Sequence, residues 1–260
     1  MKPLCFAASG FAAVSLLMFA LWIRQRKTNN AGIVDVGWAF SIAVLGVSYA
    51  IFSDGFAPRR ALAAAMAALW GFRLAWHIHE RSKGKPEDGR YQQLRRDWSP
   101  NVPSRMFLFF QLQAVVAVLF SIPFLFATAN ATPHLHSLEI IGFAVWFIAV
   151  AGESFADAQL NRFKNDGANR GKVCDAGLWK FSRHPNYFFE WLVWCGVALF
   201  ASASPHGIWS VICPVLILYF LLRVTGIPAT EEQSLRSKGD AYRDYQRRTS
   251  AFIPWFPKKI

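Results

Sequence analysis

Acidic and basic side chains follow one another at helical spacing beside an apolar segment. Glu153, Asp157 and Lys164 are separated by four and seven residues, so a helix would place them on one face. Charged side chains at the depth of an apolar helix are costly and usually face a cavity or a partner. The pattern predicts either a ligand site or an ion pair that only fixes the packing of two helices.

A second polar group surrounds Pro185. Proline is favoured at the first helical position, so a helix is predicted to start there with His184 at or beside the N-cap. The positive end of that helix, with Arg183 beside it, could hold a phosphate. Asn186 and Glu190 are one turn apart on a face predicted to point into the bundle, where they could hold a carboxamide, ribose or amine group. We interpret this group as a ligand site rather than a plain helix start.

Aromatic and basic residues are interleaved in the C-terminal tail, after Glu231 and Arg236. Tyr242 and Tyr245 lie one turn apart on a predicted short amphipathic helix. Such residues beside a membrane could anchor the tail to anionic headgroups. They could equally stack on an adenine and bind its phosphates, and the sequence leaves both interpretations open.

The elements that must position these residues are apolar. Hydrophobic residues make up 54% of the 260 residues, against about 45–50% in a soluble domain, and runs near 20 residues suit a bilayer. A basic stretch follows the first run where a signal peptide would have a cleavage site, so we interpret this run as a retained helix. The sequence predicts an all-α integral membrane protein of about seven transmembrane helices, forming one domain over residues 1–260, whose cytoplasmic loops and C-terminal tail close a cofactor site. The predicted spans are Leu4–Ile23, Ile33–Phe52, Ala61–His77, Met106–Ala127, Leu138–Ala156, Tyr187–Ala203 and Gly207–Leu222.

The net charge of +12 follows the topology of these runs. Alternate loops and the tail hold 24 Lys and Arg, whereas the opposite side holds only Lys2, Arg59 and Arg60. Such an asymmetry is typical of the positive-inside rule and predicts a cytoplasmic C-terminus. It also argues against nucleic acid as the partner of these charges. The expected partners are membrane lipids and a lipid-soluble small molecule.

No metal site is predicted. Cys5, Cys174, Cys195 and Cys213 lack metal-ligand spacing and are interpreted as small packing residues. His134 and His136 form an HxH pair in a predicted outer loop, but an exposed loop histidine with no carboxylate neighbour is more often incidental. Both late outer loops are interpreted as plain connectors.

Two stretches resemble a known family: GLWKFSRHPNYFFE from Gly177 and the tail GIPATEEQSLRSKGDAYRDYQRRTSAFIPWFPK. They are similar to the bacterial DUF1295 family, which itself resembles the C-terminal region of steroid 5-alpha-reductases, most strongly here over residues 106–260. The resemblance implies a seven-helix oxidoreductase of lipid metabolism, in a bacterial inner membrane, that takes a hydride from NADPH. The nucleotide would lie between the later helices and the cytoplasmic loops.

The resemblance also suggests which residues hold the cofactor. Asp157 and Lys164 match an Asp and an Arg at the same separation, and Asn186 and Glu190 match an Asn and Glu pair of the family. Lys83 and Lys85 lie in a loop that resembles a basic nucleotide-contacting loop. With these, the predicted cofactor-binding residues include Glu153, Arg162, Arg170, Arg183, His184, Tyr187, Glu231, Arg236, Tyr242 and Tyr245.

The chain departs from the steroid reductases where the substrate is polarised. Those enzymes pair an acidic residue of the second helix with a tyrosine of the third, and Gly71 stands here where that tyrosine is expected. We propose Asp35, Arg73 and His77 as catalytic substitutes. The predicted reaction reduces an activated carbon–carbon double bond in a steroid-like or isoprenoid-like substrate, with Asp35 polarising the conjugated carbonyl.

Two other classes of function remain as alternatives. The Arg-His-Pro-x-Tyr string and the tail also resemble membrane methyltransferases of the isoprenylcysteine carboxyl and phospholipid type, which bind S-adenosylmethionine. NADPH carries phosphates and the sulfonium cofactor does not, so a set of basic residues favours NADPH: Arg162, Lys164, Arg170, Lys172, Arg183, Lys83 and Lys85. A transporter or scaffold is less favoured, because the sequence shows neither repeated halves nor broken helices.

Overall fold

The computed structural model describes residues 3–258, and side chains from Phe6 onward. Lys2 and the side chain of Cys5 lie outside the described residues. Within residues 3–258 the regular structure is helical and no named strand is present, which confirms the all-α prediction. The α-helices are α1 (Pro3–Thr28), α2 (Ile33–Phe52), α3 (Ala57–Ser82), α4 (Gly89–Asp97), α5 (Val102–Ala129), α6 (Ser137–Asn165), α7 (Pro185–Ser202), α8 (Ile212–Tyr219), α9 (Ile227–Lys238) and α10 (Asp240–Arg248).

In the described part of the chain, six helical stretches are long and apolar enough to cross a membrane. Five of them are α1, α2, α3, α5 and α6, and the sixth is Gly207–Lys238. The protein is therefore a multi-pass integral membrane protein. The predicted span Tyr187–Ala203 corresponds to α7, an 18-residue helix that is not among these six stretches. The first turns of α7 carry Asn186 and Glu190, which lower the mean hydropathy of the helix.

The last apolar stretch continues well beyond the predicted end at Leu222. A short 3-10 helix at Gly207–Val211 leads into α8, and a π-helix at Phe220–Val224 connects α8 to the turn before α9. A π-helical turn inside an α-helical stretch is rare and is often found at functional sites. The continuation places Glu231 and Arg236 on a helix that follows directly from the apolar stretch.

The chain divides into two compact units. The first contains the residues up to Ile140 with Val197–Ser210, and the second contains Ile141–Gly196 with the residues from Val211 onward. The prediction of one domain over residues 1–260 stays a prediction.

Small residues bring α2 and α3 of the first unit close together. A Cβ atom on Gly71 would lie 2.8 Å from both the Ala39 carbonyl oxygen and the Ala43 Cβ. Core packing therefore leaves no room for a side chain at position 71, which gives a physical reason for the missing tyrosine.

The loop that precedes α6 is tied to α3 by one arginine. Arg59 forms an ion pair with Glu139, and both side chains are fully buried. Its Nη1 donates to the carbonyls of Asn130 and Thr132 at 2.7 and 3.0 Å, and its Nη2 to that of His134 at 2.6 Å. The loop that was predicted to be a plain connector is therefore held in place by hydrogen bonds from Arg59. His134 and His136 lie in it with ring centroids 4.8 Å apart.

In the second unit, α6 and α7 pack through a glycine. A Cβ atom on Gly196 would lie 2.6 Å from the Trp146 backbone nitrogen and 2.8 Å from the Gly142 oxygen. Trp146 and Trp194 are buried side chains of this unit. The close approach of the two helices lets short polar side chains on α6 and α7 reach each other further along.

Candidate functional site

A polar interior lies on α6 and α7 of the second unit. The Asn186 amide nitrogen donates to the Asp157 carboxylate at 3.2 Å. Asp157 is 8% exposed and Glu153, one turn earlier, is 4% exposed. The Asn186 amide oxygen is buried and has no hydrogen-bond partner. Further along α7, Glu190 accepts a hydrogen bond from the Trp194 indole at 3.0 Å.

The chain between α6 and α7 is fastened back onto α6. The Trp179 indole donates to the Ala156 carbonyl, and the Leu178 backbone N–H donates to the Gln159 side chain, both at 3.0 Å. Gly177 has φ +60°, and a Cβ there would lie 2.3 Å from the Gln159 amide nitrogen. Only glycine suits this position. The Gly-Leu-Trp string thus orients the segment that enters α7.

Arg183 is the centre of a clamp between the start of α7 and the C-terminal tail. Its Nε donates to Glu231 Oε1 at 2.6 Å, and its Nη1 donates to the carbonyls of Gln246 and Thr249 at 3.0 and 2.5 Å. The second Glu231 oxygen accepts from the Gln246 amide at 2.9 Å. The phosphate contact predicted for Arg183 stays a prediction, and these contacts show that the guanidinium also holds the tail.

His184 and Tyr187 form a stacked pair beside this clamp. Their ring centroids are 5.3 Å apart with the planes inclined by 7°. His184 Nε2 lies 3.3 Å from Glu231 Oε1, and the Tyr187 hydroxyl lies 3.1 Å from that of Thr230. His184 is 2% exposed. The residue that precedes α7 is therefore buried, and it contacts α9 through Glu231.

Tyr242 and Tyr245 are buried, at 4% and 2% exposure. The Tyr245 hydroxyl donates to the Trp179 carbonyl. Burial raises the pKa of Tyr242 to about 12 and raises that of Tyr245 as well. Both rings pack the tail onto the segment before α7, so the lipid or adenine contact predicted for them would require the tail to open.

Unlike Arg183, the other basic residues of the later loops and the tail that were predicted to bind the cofactor are exposed. Arg162 and Lys164 end α6, Arg170 and Lys172 lie in the following loop, and Arg236 pairs with Glu232 at 2.5 Å on α9. Cys174 lies in the same loop, where burial raises the pKa of its thiol. Among the described residues no cluster of His, Cys, Asp and Glu suits a metal ion.

In the first unit, Asp35 has two partners from α4. It accepts a hydrogen bond from the Tyr91 hydroxyl at 2.7 Å and from Arg90 at 3.3 Å. Tyr91 is 3% exposed, and burial together with Asp35 raises its pKa well above the usual range. Partial burial would raise the pKa of Asp88 at the α4 N-cap, but Arg90 lowers it overall.

Sequence reasoning missed Tyr91 and Arg90. Tyr91, Leu94 and Arg95 stand at helical spacing, and Asp88 is a helix-capping residue three positions before Tyr91. That signal predicts a short helix with one buried face. The other residues proposed here are on α3, where Arg73 and His77 are half-buried, and just after it, where Lys83 and Lys85 are exposed.

The apolar helices, the acidic and amide-lined interior and the clamped C-terminal tail define a multi-pass membrane protein with a polar interior site. The family described as "Protein of unknown function (DUF1295)" matches residues 21–249, so the chain belongs to that family. It is 25% identical over 120 residues to the 3-oxo-5-alpha-steroid 4-dehydrogenase 1 of Rattus norvegicus, which covers 46% of this chain and 42% of that protein. The Mus musculus protein of the same name is similar at 25% over 120 residues, covering 46% and 43%.

A third relative extends over most of the chain. An uncharacterised protein of Schizosaccharomyces pombe is 24% identical over 264 residues, covering 90% of this chain and 75% of the yeast protein. The chain spans less than half the length of the two rodent proteins. No solved structure matches the chain.

Proposed function

We propose that this protein is a membrane reductase that uses NADPH to reduce an activated carbon–carbon double bond in a lipid-soluble, steroid-like or isoprenoid-like substrate. The sequence similarity to the rodent dehydrogenases supports an oxidoreductase of this type. The observation that carries the cofactor assignment is the buried amide oxygen of Asn186, which has no hydrogen-bond partner.

The residues around Asn186 fit a dinucleotide. A buried acceptor without a donor costs about 1–3 kcal/mol, and an N–H of a carboxamide or an adenine amine would satisfy it. Asp157, Glu153 and Glu190 supply carboxylate acceptors suited to ribose hydroxyls. The exposed basic residues from Arg162 to Lys172 would meet phosphates, which a dinucleotide carries.

When bound, NADPH would supply a hydride to the β carbon of a conjugated system. In the first unit, the pair Asp35 and Tyr91 suits the polarisation of a carbonyl oxygen. Asp35 accepts hydrogen bonds from Tyr91 and Arg90, so it is not itself placed to donate a proton. The Tyr91 hydroxyl carries a single proton. On substrate binding it would exchange its hydrogen bond to Asp35 for one to the carbonyl oxygen and stabilise the negative charge that develops there.

One specific observation favours the methyltransferase alternative. Arg183 at the start of α7 is held by Glu231 and two tail carbonyls, and S-adenosylmethionine carries no phosphate that would compete for it. We therefore keep S-adenosylmethionine as the second candidate cofactor and test both together.

The experiment compares NADPH and S-adenosylmethionine titrations of the purified protein and two asparagine variants. Mass spectrometry of nucleotide that co-purifies with the protein gives an independent readout. Asn186→Ala should weaken NADPH binding roughly 3- to 10-fold, the effect of one hydrogen bond. Asn161→Ala, an exposed asparagine of α6, should bind as the parent does. Binding of S-adenosylmethionine alone, weakened in Asn186→Ala, would replace the reductase proposal with the methyltransferase.

A further inference from the structure

The segment after α10 runs back along the start of α7. The Ser182 hydroxyl donates to the Phe252 carbonyl at 2.8 Å, and the Trp255 backbone N–H donates to the Phe181 carbonyl at 2.9 Å. The Phe252 ring packs on Phe188, with centroids 5.8 Å apart, inside the first turn of α7. Because α7 continues into an apolar helix, these contacts hold the end of the tail at the level where that helix begins.

Three large apolar side chains of this segment point away from the protein. Ile253 is 60% exposed, Trp255 is 71% exposed and Phe256 is 76% exposed. Phe252, directly before them in sequence, is 9% exposed. The contrast shows that the exposure is specific to one side of the segment. Trp side chains are enriched at the membrane–water interface, and apolar side chains such as Phe can enter the boundary between headgroups and acyl chains.

Basic side chains border the same aromatic residues. Arg247, Arg248 and Lys258 line a cleft of about 300 Å³ together with Trp255 and Phe256. Two of these lining residues are joined by a hydrogen bond from the Lys258 backbone N–H to the Arg248 carbonyl at 2.9 Å.

The arginines of this cleft already have acidic neighbours. Arg248 lies 3.3 Å from Asp175, and Arg247 pairs with Asp244 one turn earlier on α10. Exposed ion pairs of this kind contribute little free energy, so a lipid phosphate can compete for these guanidinium groups. Lys258 adds a third positive charge to the lining of the cleft.

We propose that this tail surface, formed by Ile253, Trp255 and Phe256 with Arg247, Arg248 and Lys258, binds the headgroup of an anionic phospholipid. The aromatic side chains enter the interface beside the acyl chains, and the basic side chains contact the lipid phosphate. This site is distinct from the polar interior on α6 and α7 and does not depend on the reductase proposal. It also assigns membrane contact to residues other than Tyr242 and Tyr245, which are buried.

The test measures quenching of Trp255 fluorescence by brominated lipids in the detergent-solubilised full chain. The signal of Trp255 is the difference between the parent and Trp255→Phe. Brominated phosphatidylglycerol should quench this difference signal at lower concentration than brominated phosphatidylcholine. Equal quenching by the two lipids, or none by either, would overturn the proposal.

Two arginines of α10 provide a matched comparison. Arg243 and Arg247 each pair with an aspartate one turn earlier, but only Arg247 lines the cleft. Arg247→Gln should reduce the affinity for phosphatidylglycerol about fivefold, as expected for one basic residue near an anionic surface, and Arg243→Gln should leave it unchanged. Equal losses in both variants would mean diffuse attraction rather than a site. Displacement of the lipid by inorganic phosphate at a comparable concentration would also contradict a lipid site.

Discussion

The Tyr91 hydroxyl donates a hydrogen bond to Asp35 at 2.7 Å, although the two residues are 56 positions apart. Asp35 stands in the first turn of α2 and Tyr91 on α4, so the contact fixes α4 against the start of α2. The same carboxylate meets Arg90 at 3.3 Å. A tyrosine and a carboxylate are thus paired in the first unit without any side chain at position 71.

We expect Tyr91→Phe to destabilise the protein by about 1.5–3 kcal/mol, because it removes a hydrogen bond to a charged group. Thermal unfolding in detergent would measure this. In a double-mutant cycle with Asp35→Ala, the losses should be clearly less than additive, since both variants remove the same hydrogen bond. Strictly additive losses would contradict the coupling of the two residues.

Arg59→Met should be the more severe of two neighbouring arginine substitutions. It leaves Glu139 buried without its partner, which costs about 3–5 kcal/mol. Arg60→Met provides the control, since Arg60 donates to the carbonyls of Ala50 and Ile51 at the end of α2 and forms no ion pair with a carboxylate among the described residues. Unfolding by chemical denaturant should separate the two variants, and equal stabilities would show that the buried ion pair contributes nothing.

Glu231→Gln should loosen the C-terminal tail. The neutral side chain loses the ion pair with Arg183, whereas Glu232→Gln changes only an exposed pair with Arg236. Hydrogen exchange of backbone amides over residues 240–258 should accelerate in the first variant and not in the second. The adjacent glutamates are matched in chemistry and sequence position, so indistinguishable exchange rates would rule out the clamp as the element that orders the tail.

The charge asymmetry predicts that the C-terminus faces the cytoplasm. A fluorescent reporter that folds only in the cytoplasm should be active when fused after Ile260, and a phosphatase reporter that folds only outside should be inactive there. Cysteine labels placed at Thr132 should react with an impermeant reagent from the outer side. Activity of the phosphatase at the C-terminus would reverse the orientation.

The apolar runs allowed most of the fold to be predicted. Ile33–Phe52 coincides with α2, and Pro185 begins α7 as its sequence indicates. The proximity of Asp157 and Asn186 was suggested only by the family resemblance, and the structure shows the hydrogen bond. Their contact depends on the close approach of α6 and α7, which no local pattern encodes.

The tail shows where local patterns were insufficient. Tyr242 and Tyr245 have the spacing of an exposed amphipathic face, yet both are buried, and Tyr245 donates to the Trp179 carbonyl. The partner surface is more than 60 residues away in sequence, so periodicity could not reveal it. Arg183 likewise looked like an open cation beside a helix start, but its acceptors are supplied by Glu231 and by the end of α10.

The pairing of Arg59 with Glu139 has a consequence for biogenesis. Arg59 belongs to the first turn of α3, and Glu139 belongs to the first turn of α6, 80 residues later. During synthesis from the N-terminus, α3 must therefore enter the membrane while its arginine still lacks the carboxylate that neutralises it. The ion pair between Arg59 and Glu139 can form only after the ribosome has made the beginning of α6. In a nascent chain halted at α5, Arg59 would therefore still lack this partner.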